Sequence, residues 1–301
     1  MDRLSSRVDL SPPWDREVPD GIYANLDASA YHDGPGISKS GLDLIAQSPA
    51  HYKLDLDERR KRWEGGQQQQ PSPAFRLGSL AHSAILEPHT VNDLYRVIPA
   101  DINRKTKAGR EEWAQWQEEN ADFTHVTQDE IAAAAAMKEA VYASEDARMM
   151  LRSGDDVRTE SSVYWHEGDI QCRCRPDVWH IEEGVLVDLK TTNDASPRGF
   201  ARSVSKFRYH VQAAFYLLGT GVGLEAWREQ PATAFYIVAV EKAPPYGVAV
   251  YHMSPEYVAL GTREALSNLE TYASCIQADY WPSYNSTIHT IEPPKWLQEE
   301  N

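Results

Sequence analysis

Two aspartates and a lysine form the most informative pattern in this chain. Asp177 ends an Arg-Pro-Asp triplet, and Asp188 opens an Asp-Leu-Lys triplet that ends at Lys190. Two neighbouring carboxylates are the hard oxygen ligands that bind Mg²⁺ or Mn²⁺. The cation activates water and stabilises charge on a phosphate, and a nearby ammonium positions the nucleophile. The pattern therefore predicts metal-assisted phosphodiester hydrolysis, although an Asp-x-Lys triplet by itself is more often a solvated strand end.

A β-hairpin is the element that has to bring these groups together. The composition predicts strands over 169–178 and 185–189, and Glu182-Glu183-Gly184 between them is typical of a turn. Such a hairpin places Asp177 beside Asp188 near its open end. Lys190 points to the same side as Asp188, because side chains alternate along a strand.

An upstream helix offers a histidine to the same site. The apolar spacing that follows Arg76 predicts a helix that Pro88 stops. Gly78 and His82 are one turn apart on one face. Gly78 would permit close approach of another backbone, so that His82 projects over the sheet. The alternative is that His82 has a structural or surface role.

A downstream helix over 207–218 has two distinct faces. Its predicted core face consists of Phe207, Val211, Ala214, Phe215 and Leu218. Its second face is a polar and aromatic edge made of Tyr209, Gln212 and Tyr216. That edge is either a half-buried rim or a row of groups that orients a phosphate or a base.

The order of these motifs resembles a known nuclease family. The motifs are Gly78-Ser79-Leu80-Ala81-His82, Cys174-Arg175-Pro176-Asp177, Asp188-Leu189-Lys190 and Gln212-x-x-x-Tyr216. Together with segments 37–52 and 103–110, they resemble the RecE-type exonucleases (exonuclease VIII) of phages and prophages. That family lies within the RecB-like branch of the PD-(D/E)xK nuclease superfamily. The resemblance covers roughly residues 21–280.

The resemblance implies a role for each matching residue. It implies three side-chain metal ligands and one backbone ligand, which are His82, Asp177, Asp188 and the Leu189 carbonyl. It implies that Lys190 is the catalytic lysine, and that Gln212 and Tyr216 form the catalytic helix motif behind it. Glu160, on a strand predicted over 159–165, is a weaker match to an acidic ligand of some superfamily members; a solvated carboxylate is the alternative. The implied cofactor is Mg²⁺ or Mn²⁺.

Composition excludes several other classes of protein. The 301 residues are 42% hydrophobic, which is enough for a core. We expect neither a signal peptide nor a membrane span, because no apolar run is long enough. Cys172, Cys174 and Cys275 give no disulfide framework and no iron–sulfur pattern, which needs four cysteines. The expected location is the cytoplasm of a bacterial host cell.

The formal net charge of −15 is unusual for a protein that coats DNA. A nuclease that threads DNA through a channel needs positive charge only there. The candidate DNA-binding residues lie in two clusters near the proposed motifs, and the alternative for each cluster is an ordinary solvated face. The first cluster is Arg104, Lys105, Lys107 and Arg110, and the second is Arg198, Arg202, Lys206 and Arg208. Arg175 of the Arg-Pro-Asp triplet is a further candidate.

The predicted fold class is α/β, with a PD-(D/E)xK restriction-endonuclease-like core. We expect a flexible lead over 1–20, a single nuclease domain over 21–285 and a loose tail over 286–301. Within the domain, a helical part spans about 21–151 and supplies His82, and a mixed sheet flanked by helices spans about 157–280. Further expected elements are a low-complexity connection at 65–73, helix over 111–151, strands over 232–241 and 247–253, and a last helix capped by Ser254.

The resemblance implies a divalent-metal-dependent exonuclease on double-stranded DNA. It would run 5′ to 3′, leave a 3′ single strand and serve phage recombination beside a single-strand annealing protein. A homo-oligomeric ring around DNA is also implied, and a membrane partner is not expected. Two alternatives stay open: a RecB-like nuclease for single-stranded or flap DNA, and a protein that binds DNA ends without cutting.

Overall fold

A computed structural model of the chain describes residue 16 and residues 18–24, 26–65, 72–221, 231–284, 288 and 290–293. Most of the predicted N-terminal lead, the glutamine-rich part of the 65–73 connection and much of the predicted tail lie outside the described residues. Among those residues, no helix combines the length and the apolar character that crossing a bilayer would need.

The described elements are helices and short strands, and five of the strands follow one another directly between residues 157 and 192. The strands in chain order are β1 (Gly21–Tyr23), β2 (Tyr95–Val97), β3 (Thr124–Val126), β4 (Val157–Thr159), β5 (Ser162–Glu167), β6 (Ile170–Cys174), β7 (Val178–His180), β8 (Val185–Thr192), β9 (Ala234–Glu241) and β10 (Val248–His252). The helices are α1 (Ala28–Asp33), α2 (Lys39–Gln47), α3 (Pro49–Gly65), α4 (Pro73–Leu86), α5 (Val91–Leu94), α6 (Lys107–Glu119), α7 (Gln128–Ala143), α8 (Glu145–Met150), α9 (Pro197–Lys206), α10 (Tyr209–Gly221) and α11 (Pro255–Ala278). A 3₁₀ turn spans Pro88–Thr90.

A mixed five-stranded sheet organises the fold, in the order β10-β9-β8-β7-β4. Strand β8 runs parallel to β9 and antiparallel to β7. The aliphatic and β-branched sequence of β8 suits this central position, where both faces are covered. The predicted mixed sheet flanked by helices is confirmed.

Side-chain alternation divides the core into two clusters on opposite faces of this sheet. One cluster includes Leu186 and Ile237 and packs against α2, α9, α10 and α11. The other includes Val187 and Val238 and packs against α4, α7 and α8. Because successive side chains of a strand point to opposite faces, β8 contacts both layers. Asp188 and Lys190 share the parity of Leu186 and therefore face the layer of α10.

A second, three-stranded sheet in the order β1-β5-β6 stands beside the first. Two predicted strands are wrong because each joins segments of both sheets. The strand predicted over 169–178 ends at Cys174, and Pro176 separates β6 from β7. The strand predicted over 159–165 breaks at Glu160, which has a φ of 50°. A left-handed residue interrupts a strand, because its backbone cannot continue the extended ladder.

The predicted helical parts also need correction. Strand β3 interrupts the helix expected over 111–151, and β1, β2 and β3 lie within the part expected to be helical. The helix expected over 207–218 begins at Tyr209, because Arg208 has a φ of 52°. Phe207, predicted in the core, is 48% exposed. The Ser254 cap is confirmed, since its side chain accepts a hydrogen bond from the Tyr257 N–H.

Candidate active site

The site lies where the chain passes between the two sheets. One passage is the segment from Arg175 to Asp177, and the other is at Glu160. The Glu160 N–H donates to the Asp177 carbonyl at 3.0 Å, which ties the two passages together. Two acidic residues, distant in the chain, therefore become neighbours at one seam.

The β7–β8 hairpin brings the two aspartates together, as the sequence predicts. Val178 pairs with Val187, so Asp177 stands next to Asp188 at the open end of the hairpin. Both aspartates are buried. The Leu189 N–H donates to Asp177 Oδ2 at 2.7 Å, which fixes that carboxylate against β8.

Helix α4 places His82 directly on the carboxylates. His82 Nε2 lies 2.8 Å from Asp177 Oδ2, and His82 Nδ1 lies 3.3 Å from Glu160 Oε1. A Cβ added to Gly78 would lie 3.3 Å from Thr191 Oγ1, so the close neighbour of Gly78 is a side chain of β8. The expectation that Gly78 meets another backbone is therefore wrong, although the small residue does admit the helix to the sheet.

A group of three side chains has the geometry of a cation site. Ligand atoms of His82, Glu160 and Asp177 all lie within 4.8 Å of one another. Glu160 Oε1 is buried and accepts no hydrogen bond within the described residues, which leaves a lone pair for a cation. The Arg175 Nε donates to Glu160 Oε2 at 2.8 Å and so holds the other carboxylate oxygen. An imidazole with hard carboxylates fits Mn²⁺ or Mg²⁺.

Asp188 stands outside this group of three and has its own partners. Gln212 Nε2 donates to Asp188 Oδ1 at 2.5 Å, and Lys190 Nζ lies 2.6 Å from Asp188 Oδ2. Helix α10 thus reaches the site through Gln212. Tyr216, one turn further on, packs edge-on against Phe235, with 6.2 Å between ring centroids. The Leu189 carbonyl as a ligand remains a prediction from the resemblance.

Crowding of the carboxylates shifts their proton affinities. Burial and the neighbouring Asp177 raise the pKa of Glu160 to about 7, and the same two causes raise the pKa of Asp188 to about 6. Burial opposes protonation of His82, but Asp177 outweighs burial and raises the His82 pKa to about 9. Burial likewise opposes the charge on Lys190, yet Asp188 outweighs it and raises the Lys190 pKa. The cluster therefore has a strong preference for positive charge.

The candidate DNA-binding residues fall into two types. Arg104, Lys105, Lys107, Arg110, Arg198, Arg202 and Lys206 are exposed. Arg175 and Arg208 are instead engaged in ion pairs. Arg175 is held by Glu160 and by the Leu26 carbonyl, so its contacts within the chain are those of a residue that positions the site. Arg208 binds Asp43 at 2.9 Å and Glu264 at 3.0 Å.

Two further residues lie beside the proposed catalytic lysine. Lys190 Nζ is 5.1 Å from the centroid of the Tyr209 ring, and Lys39 Nζ is 5.9 Å from the same centroid. The polar edge of the predicted helix contains Tyr209, so the sequence does point to it. Lys39 lies in the segment 37–52 that contributes to the family resemblance, but nothing in that segment's sequence indicates that Lys39 approaches Lys190.

Comparison with known proteins gives a family and a fold for the chain. Residues 38–293 match the model of a family described as "PDDEXK-like domain of unknown function (DUF3799)". No curated protein matches the chain. A crystal structure described as a "putative exonuclease" from Eubacterium rectale has a TM-score of 0.53 and 13% identity, over 88% of this chain and 93% of that one, which shows a common fold. The structure of SSO0001 aligns with a TM-score of 0.28 and 13% identity, over 64% of this chain and 85% of that one.

Proposed function

The chain belongs to the family of PDDEXK-like domains that its residues 38–293 match, and on that premise we propose that it is a divalent-metal-dependent nuclease. The observation that carries the proposal is one cluster at the seam between the sheets. His82, Glu160 and Asp177 form a cation-sized group there, and the hairpin adds Asp188 with its partner Lys190. Glu160 Oε1, which lies 3.3 Å from His82 Nδ1, accepts no hydrogen bond within the described residues and remains available to a cation.

The residues of this cluster have separable roles in the proposed reaction. His82, Glu160, Asp177 and Asp188 would hold Mg²⁺ or Mn²⁺. When bound, the cation supplies a lowered pKa for water and stabilisation of charge on the phosphate. Lys190 keeps its proton on Nζ and places positive charge beside the attacking oxygen or the phosphate. Gln212 fixes the orientation of Asp188, and Arg175 fixes that of Glu160.

The preferred substrate in this proposal is the end of linear double-stranded DNA. A net charge of −15 disfavours coating of internal duplex, whereas exposed basic residues at 104–110 and 198–206 can guide a strand locally. A 5′ to 3′ direction, a role in phage-type recombination with an annealing protein and a homo-oligomeric ring extend the proposal from the resemblance. A likeness in fold to the Eubacterium rectale protein supports exonuclease activity as the first activity to test.

Strand-specific end labels on linear and closed circular duplex provide the direct test. We expect Mg²⁺- or Mn²⁺-dependent release of nucleotides from the linear DNA and no loss of the circle. Faster cleavage of single-stranded or flap DNA would favour the RecB-like alternative. Binding of ends without cleavage in either metal would favour the non-cutting alternative.

Substitution of the ligands tests the site itself. Asp177→Ala and Asp188→Ala should each abolish cleavage and largely preserve binding of DNA ends, because each removes a charged ligand. His82→Ala should weaken metal affinity, and raised Mn²⁺ should restore part of the activity because a higher metal concentration refills a weakened site. Near-parental cleavage by either aspartate variant in Mg²⁺ would show that the site is elsewhere.

A further inference from the structure

The bend between α9 and α10 exposes an aromatic ring close to the candidate active site. Phe207 follows the last residue of α9, and its side chain is 48% exposed. Its ring stacks on that of Tyr209, with 5.7 Å between centroids and 27° between planes. The Tyr209 ring in turn lies 5.1 Å from Lys190 Nζ. Two consecutive contacts therefore connect the exposed ring to the ammonium group of the site.

The backbone at this bend is held in an unfavourable conformation. Arg208 has a φ of 52°, in the left-handed region that residues other than glycine rarely adopt. Its guanidinium binds Asp43, Glu264 and Asn268, the last at 2.8 Å. Lys39 Nζ donates to the Phe207 carbonyl at 2.6 Å. Strain that is fixed by so many contacts is a feature of functional sites.

The break at Arg208 separates Phe207 from the core face of α10. The apolar spacing places Phe207 on the core face of one continuous helix, and the interruption turns it toward solvent instead. Burying Phe207 would gain apolar contact, so its exposure works against folding stability. Three contacts of the Arg208 guanidinium and one from Lys39 thus maintain an outward-facing ring.

The surroundings of Phe207 suit a nucleic acid strand better than an apolar protein surface. Lys206 Nζ lies 5.3 Å from the centroid of the Phe207 ring. Arg202, one turn earlier on α9, is also exposed, as is Ser205. An aromatic ring among cations is the arrangement that binds unpaired bases by stacking and their phosphates by charge.

We propose that Phe207 is a stacking platform for the unpaired base at a DNA strand end, next to the phosphate that reaches Lys190. The inference rests on the proposed nuclease function and names the substrate feature that the site selects. A base inside a duplex is covered on both faces by its neighbours, whereas a frayed or single-stranded terminal base has a free face. Phe207 is thus a specificity-determining residue for ends.

A combined change in the protein and in the DNA tests this contact. Binding is measured in Ca²⁺, which should occupy the site without supporting hydrolysis, with Phe207→Ala and with an oligonucleotide that has an abasic terminal nucleotide. Stacking of one base on an aromatic side chain corresponds to roughly 5- to 150-fold in affinity. We expect each single change to weaken binding by that factor. In Phe207→Ala, the abasic end should not weaken DNA binding any further, because both changes remove the same contact.

Two variants serve as controls. Phe207→Trp keeps a ring and should keep both the affinity and the response to the abasic end. Tyr280→Ala removes another exposed aromatic, which follows α11, and should change neither. Thermal unfolding and sedimentation of Phe207→Ala establish that its fold and assembly are parental.

Each outcome separates the inference from the function on which it rests. If the parent protein cuts DNA but the two changes are additive, Phe207 is no platform and the nuclease proposal stands. If the two changes are coupled but no metal supports cleavage, the platform stands and the nuclease proposal fails. A Phe207→Ala variant that changes assembly with additive effects on DNA binding assigns the ring to a subunit contact and overturns the inference. A parent protein that binds no DNA overturns both.

Discussion

Three carboxylates share one histidine and one lysine at the seam between the sheets. Glu160 and Asp177 face His82, while Asp188 is held between Lys190 and Gln212. The types and spacing of Asp177, Asp188 and Lys190 could be interpreted from the sequence, because a hairpin dictates which side chains meet. Glu160 is harder to assign from the sequence, since its approach depends on a left-handed turn that no local pattern reveals.

Lys190 provides a sharp test of mechanism among these residues. Lys190→Ala should lower the single-turnover rate by orders of magnitude with little change in DNA affinity, because the ammonium acts on charge that develops in the transition state. Lys190→Arg should not restore the rate, since a planar fork does not replace a compact ammonium. The two quantities to compare are cleavage at saturating enzyme and the DNA dissociation constant in Ca²⁺. A variant that cuts at the parental rate but binds poorly would make Lys190 a phosphate anchor only.

Gln212 tests whether the orientation of Asp188 matters. Gln212→Ala should reduce cleavage by about 10- to 100-fold, which is usual for a residue that orients a metal ligand. Gln212→Glu has nearly the same shape but replaces the N–H donor by a second carboxylate, so it should be at least as inactive. The measurement is the rate as a function of Mg²⁺ concentration. A packing role alone would predict a loss of thermal stability in Gln212→Ala with a parental rate per folded molecule.

Single elements set the position of these side chains, and their boundaries explain the errors of sequence-based prediction. Alternation continues through Pro176, so a local pattern cannot show that β6 and β7 belong to different sheets. Likewise, the apolar spacing continues through Arg208, but contacts from distant α2 and α11 impose the break. The Ser254 cap needed no distant partner and was predicted correctly.

Helix α4, which supplies His82, contacts the capping box at the start of α7. The Thr127 and Glu130 side chains cap α7 reciprocally, and Arg76 of α4 donates to Glu130 Oε1 at 2.6 Å. Glu130→Ala removes both contacts and should lower the free energy of unfolding by about 1–2 kcal/mol. Urea unfolding measures it, with Glu139→Ala, an exposed glutamate of the same helix, as the control. Equal stability of the two variants would contradict the attachment.

The free energy of unfolding that Glu130→Ala loses should depend on pH in a defined direction. Burial favours the neutral form of Glu130, but hydrogen bonds from Arg76 and Thr127 outweigh burial and lower its pKa. A carboxyl with a lowered folded-state pKa contributes stability above its unfolded-state pKa and loses it as the pH falls through the folded value. The difference between the parent and Glu130→Ala should therefore be complete at neutral pH and shrink on acidification.

The chain has a formal net charge of −15, so the proposed DNA binding would depend on a few local cations. The double variant Lys105→Ala, Lys107→Ala should bind duplex DNA more weakly. The slope of the logarithm of affinity against the logarithm of salt concentration should become shallower by up to about 2, or roughly 0.9 for each lost phosphate contact. The rate at saturating enzyme should not change, because these lysines belong to a cluster outside the metal-binding residues. Titrations at several salt concentrations measure the slope, and Lys61→Ala on α3 is the exposed control. An unchanged slope would assign the 104–110 cluster to a solvated face.

The pairing of β8 along its whole length with β9 affects when the protein becomes able to act. All eight β8 residues, Asp188 and Lys190 among them, are in register with 234–241. During synthesis on the ribosome, that stretch emerges after every metal-binding and catalytic residue proposed above. We therefore expect a nascent chain to carry the complete set of reactive side chains without a fixed arrangement of them. On the proposed nuclease function, a chain that ends before residue 234 should therefore cleave no DNA, although it contains every proposed metal ligand.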